Sequence, residues 1–165
     1  MPGMLWSARL RWALWAIPLI VVVWARLAMP GEVAGQSRTA VVERVVDGDT
    51  VVLAGGERVR YIGVDTPELH HPKKGVEVYG REACEFNRQL VEGRRIRLER
   101  DVQAKDKYQR TLAYVFLDDG TFVNAELIRQ GYARIFTIPP NVKYQDTFLA
   151  LEREARLARR GLWGR

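Results

Sequence analysis

Five strand-like segments, with one helical pattern between the third and fourth and two more after the fifth, predict a small closed β-barrel of the OB type carrying three helices. The strand patterns fall at 39–46, 50–53, 58–64, 95–99 and 111–117, and the helical ones at 81–91, 123–130 and 144–160. The chain has 165 residues, 47% of them hydrophobic. That suffices for one domain with a real core, is hardly enough for two, and excludes a disordered chain.

The first stretch differs from the rest. Arg9 and Arg11 precede an unbroken apolar run from Trp12 to Ala25, and Arg26 ends it. Four of the five tryptophans, Trp6, Trp12, Trp15 and Trp24, lie here, a placement that suits membrane interfaces. The run is shorter than the roughly 20 residues of a bilayer-spanning helix. It fits the apolar core of a signal peptide behind a positive leading segment. Val33 and Gly35 are small enough to precede a cut at Gln36, but they lie far beyond the run. A cleaved signal and an uncleaved anchor through residues 12–25 both stay open. Either predicts an exported protein, secreted or held at the outer face of the cytoplasmic membrane. Pro30, Gly31, Gly35, Gln36 and Ser37 mark a linker. Residues 1–35 are therefore expected to be leader and linker, and residues 36–165 the folded domain.

Within that domain, 39–46 is rich in β-branched residues, Asp47-Gly-Asp49 turns, 50–53 continues as a strand, Ala54-Gly-Gly56 turns back, and 58–64 completes a meander. Asp65-Thr-Pro67 stops it, and a loop with two lysines runs from His70 to Gly75. Ala83, Phe86 and Leu90 have helical spacing, and Gly93 ends that helix. Ile96 and Leu98 alternate with charges, as in a half-buried strand. Asp118-Asp-Gly120 is a hairpin turn after 111–117. The last helix places Phe148, Leu151, Ala155 and Ala158 on one face.

Formal net charge is +6, which favours phosphate-rich partners or anionic surfaces but says nothing about chemistry. Cys84 is the single cysteine, so the fold stands without an internal disulfide. No cysteine-protease signature surrounds it, and a small buried hydrophobe is the expected role.

Three acidic clusters stand out: Asp47 with Asp49, Asp65 with Glu68, and Asp101 with Asp106. Carboxylates from different strands, with backbone carbonyls and water, suit a hard cation. An EF-hand starting at Asp47 is excluded, because Val52 stands where that loop needs glycine. Phosphodiester hydrolysis needs an oriented or deprotonated water and cationic donors for the charge that develops on phosphate. A glutamate can serve the first and arginines the second. Glu68 shares a loop with Asp65, Arg60 lies on the strand feeding that loop, and Arg110 just precedes the strand at 111. Composition suits a phosphate site; spacing alone does not show convergence.

Val46-Asp-Gly-Asp-Thr50, Val59-Arg60, Val64-Asp-Thr-Pro-Glu68, His71-Pro-Lys-Lys-Gly75, Tyr79-Gly80, Asp106-Lys-Tyr-Gln-Arg110 and Leu112-Ala-Tyr114 occur in this order. The ordered set resembles the staphylococcal nucleases, or thermonucleases, over about residues 39–163. The resemblance implies a five-stranded OB-fold barrel with three helices. It also implies calcium-dependent hydrolysis of DNA and RNA, single strands preferred, leaving 3′-phosphate ends, by a monomer. Carried over by motif, Arg60, Glu68 and Arg110 would be catalytic. Glu68 would activate or orient water, and the arginines would stabilise the transition state. Asp49 and Asp65 would bind calcium through carboxylates and Thr66 through its carbonyl, with Asp47 beside them. Lys73 and Lys74 match a loop flanking substrate, and Lys107 and Tyr108 match positions beside a terminal phosphate. The chain departs from the family pattern after the short helix, where two family tyrosines align with Thr137 and Pro139 and Phe136 offers a face for stacking. The rival reading is a non-catalytic, membrane-tethered OB-fold module that binds single-stranded nucleic acid. The intact set Arg60, Glu68 and Arg110 favours the enzyme.

Overall fold

The computed structural model describes residues 36–69 and 75–164. The leader, the pair His70 and His71, and Lys73 and Lys74 lie outside the described residues. Among the described residues no helix is long and apolar enough to cross a membrane.

Strand β1 (Ser37–Asp47) is long enough to serve two partners. Its first half pairs antiparallel with β5 (Arg95–Glu99), and its second half pairs with β2 (Thr50–Leu53). The β1–β2 ladder has two register shifts, between Val42 and Arg44 and between Val45 and Asp47. β2 pairs antiparallel with β3 (Arg58–Tyr61), β3 pairs parallel with β6 (Thr111–Leu117), and β6 returns to β5. The five strands close as β1-β2-β3-β6-β5, the barrel expected from the sequence. Closure leaves no free edge in that sheet. Val42, Val51, Leu53, Val59, Tyr61, Ile96, Leu98 and Val115 are buried in its core.

The expected strand at 58–64 is in fact two. It breaks at Ile62, and β4 (Gly63–Asp65) leaves the barrel to pair with β7 (Arg134–Phe136). Gly63 explains the break. Its φ is +78°, and a Cβ there would lie 2.5 Å from the Phe148 ring. Only glycine permits both the left-handed turn and that approach. Buried Asn124 fixes the same point, donating from Nδ2 to the Ile62 carbonyl and accepting from the Val115 amide, each at 2.9 Å.

Helix α1 (Gly80–Val91) buries Ala83, Cys84, Asn87 and Val91, with Phe86 and Leu90 packed at the margin. Its buried face is thus rotated by about one residue from the expected one. Cys84 is the small buried residue anticipated. The turn after β6 makes one bridge, Phe116 with Phe122, before α2 (Val123–Arg129) begins. Helix α3 (Gln145–Leu157) buries Phe148, Leu151 and Ala155. Ala158 lies exposed, because the helix has already ended there.

Candidate active site

The turn Asp47-Gly-Asp49 between β1 and β2 and the loop after β4 meet at one end of the barrel. Asp49 joins them. Its buried carboxylate accepts from the Thr66 amide at 3.0 Å and the Thr66 hydroxyl at 3.1 Å, and its other oxygen accepts from the Thr50 hydroxyl at 3.0 Å. Gly48 is required here, since a Cβ would lie 2.6–2.8 Å from the Thr66 side chain.

Arg60 points from β3 into the same region and spans two carboxylates. Nη1 lies 2.9 Å from Asp49 Oδ2 and Nη2 lies 3.0 Å from Asp65 Oδ1. Nη1 also donates to the carbonyls of Tyr61 and Val64 at 3.2 and 2.8 Å. The break between β3 and β4 thus wraps backbone carbonyls around the guanidinium and fixes its direction. No described residue accepts from its Nε.

Glu68 is exposed on the loop after Asp65. Its amide donates to the Glu77 carboxylate at 3.2 Å and its carbonyl accepts from the Glu77 amide at 2.9 Å. Gly80 packs directly beneath, where a Cβ would come within 2.9 Å of the Glu68 carbonyl oxygen. The Tyr79-Gly80 motif therefore seats the loop that carries Glu68.

Arg110 arrives by another route. The parallel register pairs Val59 with Thr111 and Arg60 with Leu112, so the start of β6 lies beside β3. Asp106 builds the loop before it. Asp106 Oδ1 accepts the amides of Tyr108 and Arg110 at 2.9 and 3.0 Å, and Oδ2 accepts from Arg110 Nε at 2.7 Å. Gln109 takes a left-handed φ of 64°, a strained conformation held by this network. Arg60, Arg110, Lys107 and Tyr108 line one cleft of about 460 Å³. Lys107 and Arg110 both lie near the exposed Tyr108 ring, at 4.9 and 5.4 Å from its centre.

The third acidic cluster does not form a cation site. Asp106 is spent on Arg110 and its loop, and Asp101 accepts from the Tyr114 hydroxyl at 3.0 Å and the Lys143 amide at 3.2 Å. The segment that runs on from β7 supplies the cleft with apolar residues. Phe136 and Ile138, not Thr137 and Pro139, line the cleft. Alternate residues of an extended chain share a side, so Thr137 faces the other way with its hydroxyl buried.

The electrostatics separate by sign. Burial, then repulsion from Asp49 and Glu68, pushes the Asp47 carboxyl up to about 6 against the amides of Gly48 and Leu69. Burial also raises Asp65. Arg60 opposes that rise, while Asp49, Glu68 and Glu77 add to it. This corner is short of positive charge, and its donors are hard oxygens. Such a set fits a hard divalent cation. Among the described residues no three acidic, histidine or cysteine side chains close on one metal position. Asp49 and Asp65 would need carbonyl oxygens and water to complete a shell.

Some contributors carry no motif. Asn87 is fully buried on α1, accepts from the Tyr61 hydroxyl at 3.1 Å and donates to the Asp47 carbonyl at 3.3 Å. Asn141 exchanges two hydrogen bonds with the Gln103 backbone at 2.7 and 2.9 Å, tying one cleft wall to another. A polar residue at a core-facing helical position was the available signal for Asn87; none marks Asn141.

The model of the staphylococcal nuclease homologue family matches residues 58–165. The chain belongs to the staphylococcal nuclease family. It is 39% identical over 160 residues to a thermonuclease of Staphylococcus intermedius, covering 91% of this chain and 94% of the relative. A thermonuclease of Staphylococcus hyicus is 40% identical over 129 residues, 76% of each chain. Endonuclease YncB of Bacillus subtilis is 40% identical over 128 residues, 74% of this chain and 60% of that protein. For a family member, the barrel end holding Arg60, Asp49, Asp65 and Arg110 is the natural place to seek chemistry.

Proposed function

We propose that this staphylococcal nuclease homologue hydrolyses phosphodiester bonds of DNA and RNA at the cleft between β3 and the Asp106–Arg110 loop, with calcium as its metal. The observation that carries the reading is the convergence of Arg60 and Arg110, far apart in sequence, on one cleft beside the Asp49 and Asp65 carboxylates.

Asp49, Asp65 and the Thr66 carbonyl would hold the cation, which when bound supplies charge neutralisation to the scissile phosphate. Arg60 and Arg110 keep N–H donors beyond those used internally, and these bind phosphoryl oxygens as charge develops on them. Glu68, exposed on its seated loop, accepts a hydrogen bond from the attacking water and orients it in line. Its role is to activate or orient that water. The water oxygen bonds to phosphorus as the P–O5′ bond breaks; the water's proton passes by way of Glu68 to solvent and the 5′ oxygen takes a proton from solvent, leaving a 3′-phosphate and a 5′-hydroxyl. Lys107 and Tyr108 flank a neighbouring phosphate, and Lys73 and Lys74 add substrate contacts on the ground of their sequence motif alone. Phe136 and Ile138 give the cleft an apolar wall that stacks on bases without reading them, which suits single strands. The positive, tryptophan-rich leader supports export, tested by whether the protein is found outside the cytoplasm on cell fractionation; an N-terminus at Met1 or near Gln36 then separates an uncleaved anchor from a cleaved signal.

The decisive assay is hydrolysis of single-stranded DNA by the full chain, with calcium and with chelator, beside Arg60→Ala and Glu68→Gln. Activity that needs calcium and falls a hundredfold or more in Arg60→Ala is expected. Glu68→Gln is expected to lower kcat far more than binding. Binding without hydrolysis under any divalent cation would overturn the catalytic reading in favour of a binding module.

A further inference from the structure

A second hollow, about 450 Å³, opens next to the catalytic cleft and shares two of its lining residues, Tyr108 and Arg110. Its other cationic walls are Arg58, Arg100 and Lys105, facing a single carboxylate, Glu57. That carboxylate is already engaged. Both of its oxygens lie 2.6 Å from Arg38 Nη2, and Oε1 also accepts from the Thr111 hydroxyl at 2.6 Å. Among the described residues neither the Arg58 nor the Lys105 side chain has an acidic partner, and both are exposed.

The backbone holds these cations in place. Arg58 opens β3, and the register pairing Val59 with Thr111 sets it beside Arg110. Lys105 lies on a segment laid antiparallel against the start of β6. Lys105 bridges Thr111, the Leu112 amide donates to the Ala104 carbonyl at 2.8 Å, and Gln103 Nε2 donates to the Lys105 carbonyl at 2.7 Å. Cations on backbone held by hydrogen bonds, Arg58 in β3 and Lys105 at its bridge to Thr111, lose less backbone freedom on binding an anion than cations on an unpaired loop.

We infer that this hollow is a second nucleic-acid subsite, in which Arg58 and Lys105 hold phosphates of the same strand whose scissile phosphate lies at Arg60 and Arg110. The inference rests on the nuclease reading for its occupant. Continuity through Tyr108 and Arg110 is what selects a polymer: a strand can cross from one basin to the other over the exposed tyrosine ring, whereas a lone small anion would use one. The subsite binds backbone, so it favours long substrates over short ones and does not discriminate sequence.

The test measures binding of end-labelled oligothymidylates of two to eight nucleotides to the full chain by fluorescence anisotropy, in chelator to prevent cutting. The variants are R58Q/K105Q and the charge-reversed R58E/K105E, with thermal melts to establish that both fold. Wild-type affinity should climb with length and level off. In the double variants the gain at the longer lengths should vanish, with the eightmer weakened tenfold or more. The slope of log affinity against log salt for the eightmer should become shallower by about 1.4 in R58Q/K105Q, two phosphates at about 0.7 each. A wild-type length profile and salt slope in the variants would overturn the inference, as would an equal loss at every length. Hydrolysis by the wild-type chain with calcium is followed in parallel. If it cuts and the variants keep the length step, only the subsite falls. If it does not cut but the step is lost in the variants, the strand track stands and the catalytic reading falls.

Discussion

Replacing Gly80 by alanine moves the backbone that carries Glu68. The new Cβ would lie 2.9 Å from the Glu68 carbonyl oxygen and 3.2 Å from that of Pro67, both backbone atoms that cannot swing away. Ordinary contact begins near 3.4 Å, so the loop must recede by about half an ångström. Two energetic effects oppose each other. Overpacking costs about 1–3 kcal/mol. Alanine in place of glycine in a helix returns up to about 1 kcal/mol, and less at a first-turn position. The net loss is about 1–2 kcal/mol, a fall in Tm of a few degrees. Catalysis is more sensitive to position, since a 1 Å misplacement can cost about a hundredfold, so half of that costs on the order of tenfold in kcat. Oligonucleotide affinity in chelator should change less than twofold, because the arginine cleft is untouched. Steady-state hydrolysis, anisotropy and a thermal melt on the full chain check all three. An unchanged kcat alongside the expected fall in Tm would refute the claim that Gly80 positions Glu68.

Other perturbations follow the same logic. Asp106→Asn keeps one acceptor for the loop amides but cannot accept both them and Arg110 Nε, so kcat should fall about tenfold or more with the fold retained, read by kinetics beside a melt. Asn124→Ala strands a buried amide at Val115 and a carbonyl at Ile62, and should cost about 2–4 kcal/mol in urea unfolding. Gly48→Ala should displace Thr66 from Asp49 and raise the calcium concentration needed for half-maximal activity at least severalfold. Burial pushes the Glu99 carboxyl up, but hydrogen bonds from Lys143, Tyr144 and Arg97 outweigh it and hold it below its ordinary value. A depressed folded pKa gives stability that is present above the unfolded value near 4.3 and is lost as pH falls through the folded value. Glu99→Gln should therefore lower Tm at pH 7, and the difference from wild type should shrink as pH falls below the ordinary carboxylate range.

The barrel was legible because period-2 alternation and turn chemistry are local properties. Its five strands stand within a few residues of their expected bounds. The split between β3 and β4 was not legible. Gly63 sits in an apolar run that reads as continuous strand, and what breaks it is the Phe148 ring arriving from a helix 85 positions later. Strand β7 escaped because three residues, Arg-Ile-Phe, carry too little pattern. The candidate site was legible as an ordered set of motifs, and the fold brings Arg60, Arg110, Lys107 and Tyr108 to one cleft. The role of Asp106 stayed open in the sequence because a carboxylate's partner cannot be told from its type. The i, i+4 arginine claims it. Asn87, Asn124 and Asn141 matter through bonds across long sequence separations, and only Asn87 carried a local sign of this, as a polar residue at a core-facing helical position.

The site crowds like charges around a single ion-paired guanidinium. One guanidinium faces two carboxylates across Asp49 and Asp65, with Asp47 and Glu68 near enough to raise the cost further. Packing alone would replace such a corner with apolar residues, since like charges brought together in a poorly solvated place destabilise the fold. Instead the surrounding structure is arranged to keep it. Gly48 clears room for Thr66, Asn87 holds the Asp47 carbonyl, and the Tyr61 and Val64 carbonyls aim Arg60. A few residues away, Asp106 fixes Arg110 on the cationic side of the same cleft. A divalent cation at the acidic corner and a phosphate in the basic cleft would each offset repulsion among like charges there, so the binding of one would favour the other. That pairing gives a metal-and-phosphate reading of this barrel end a physical ground independent of any motif.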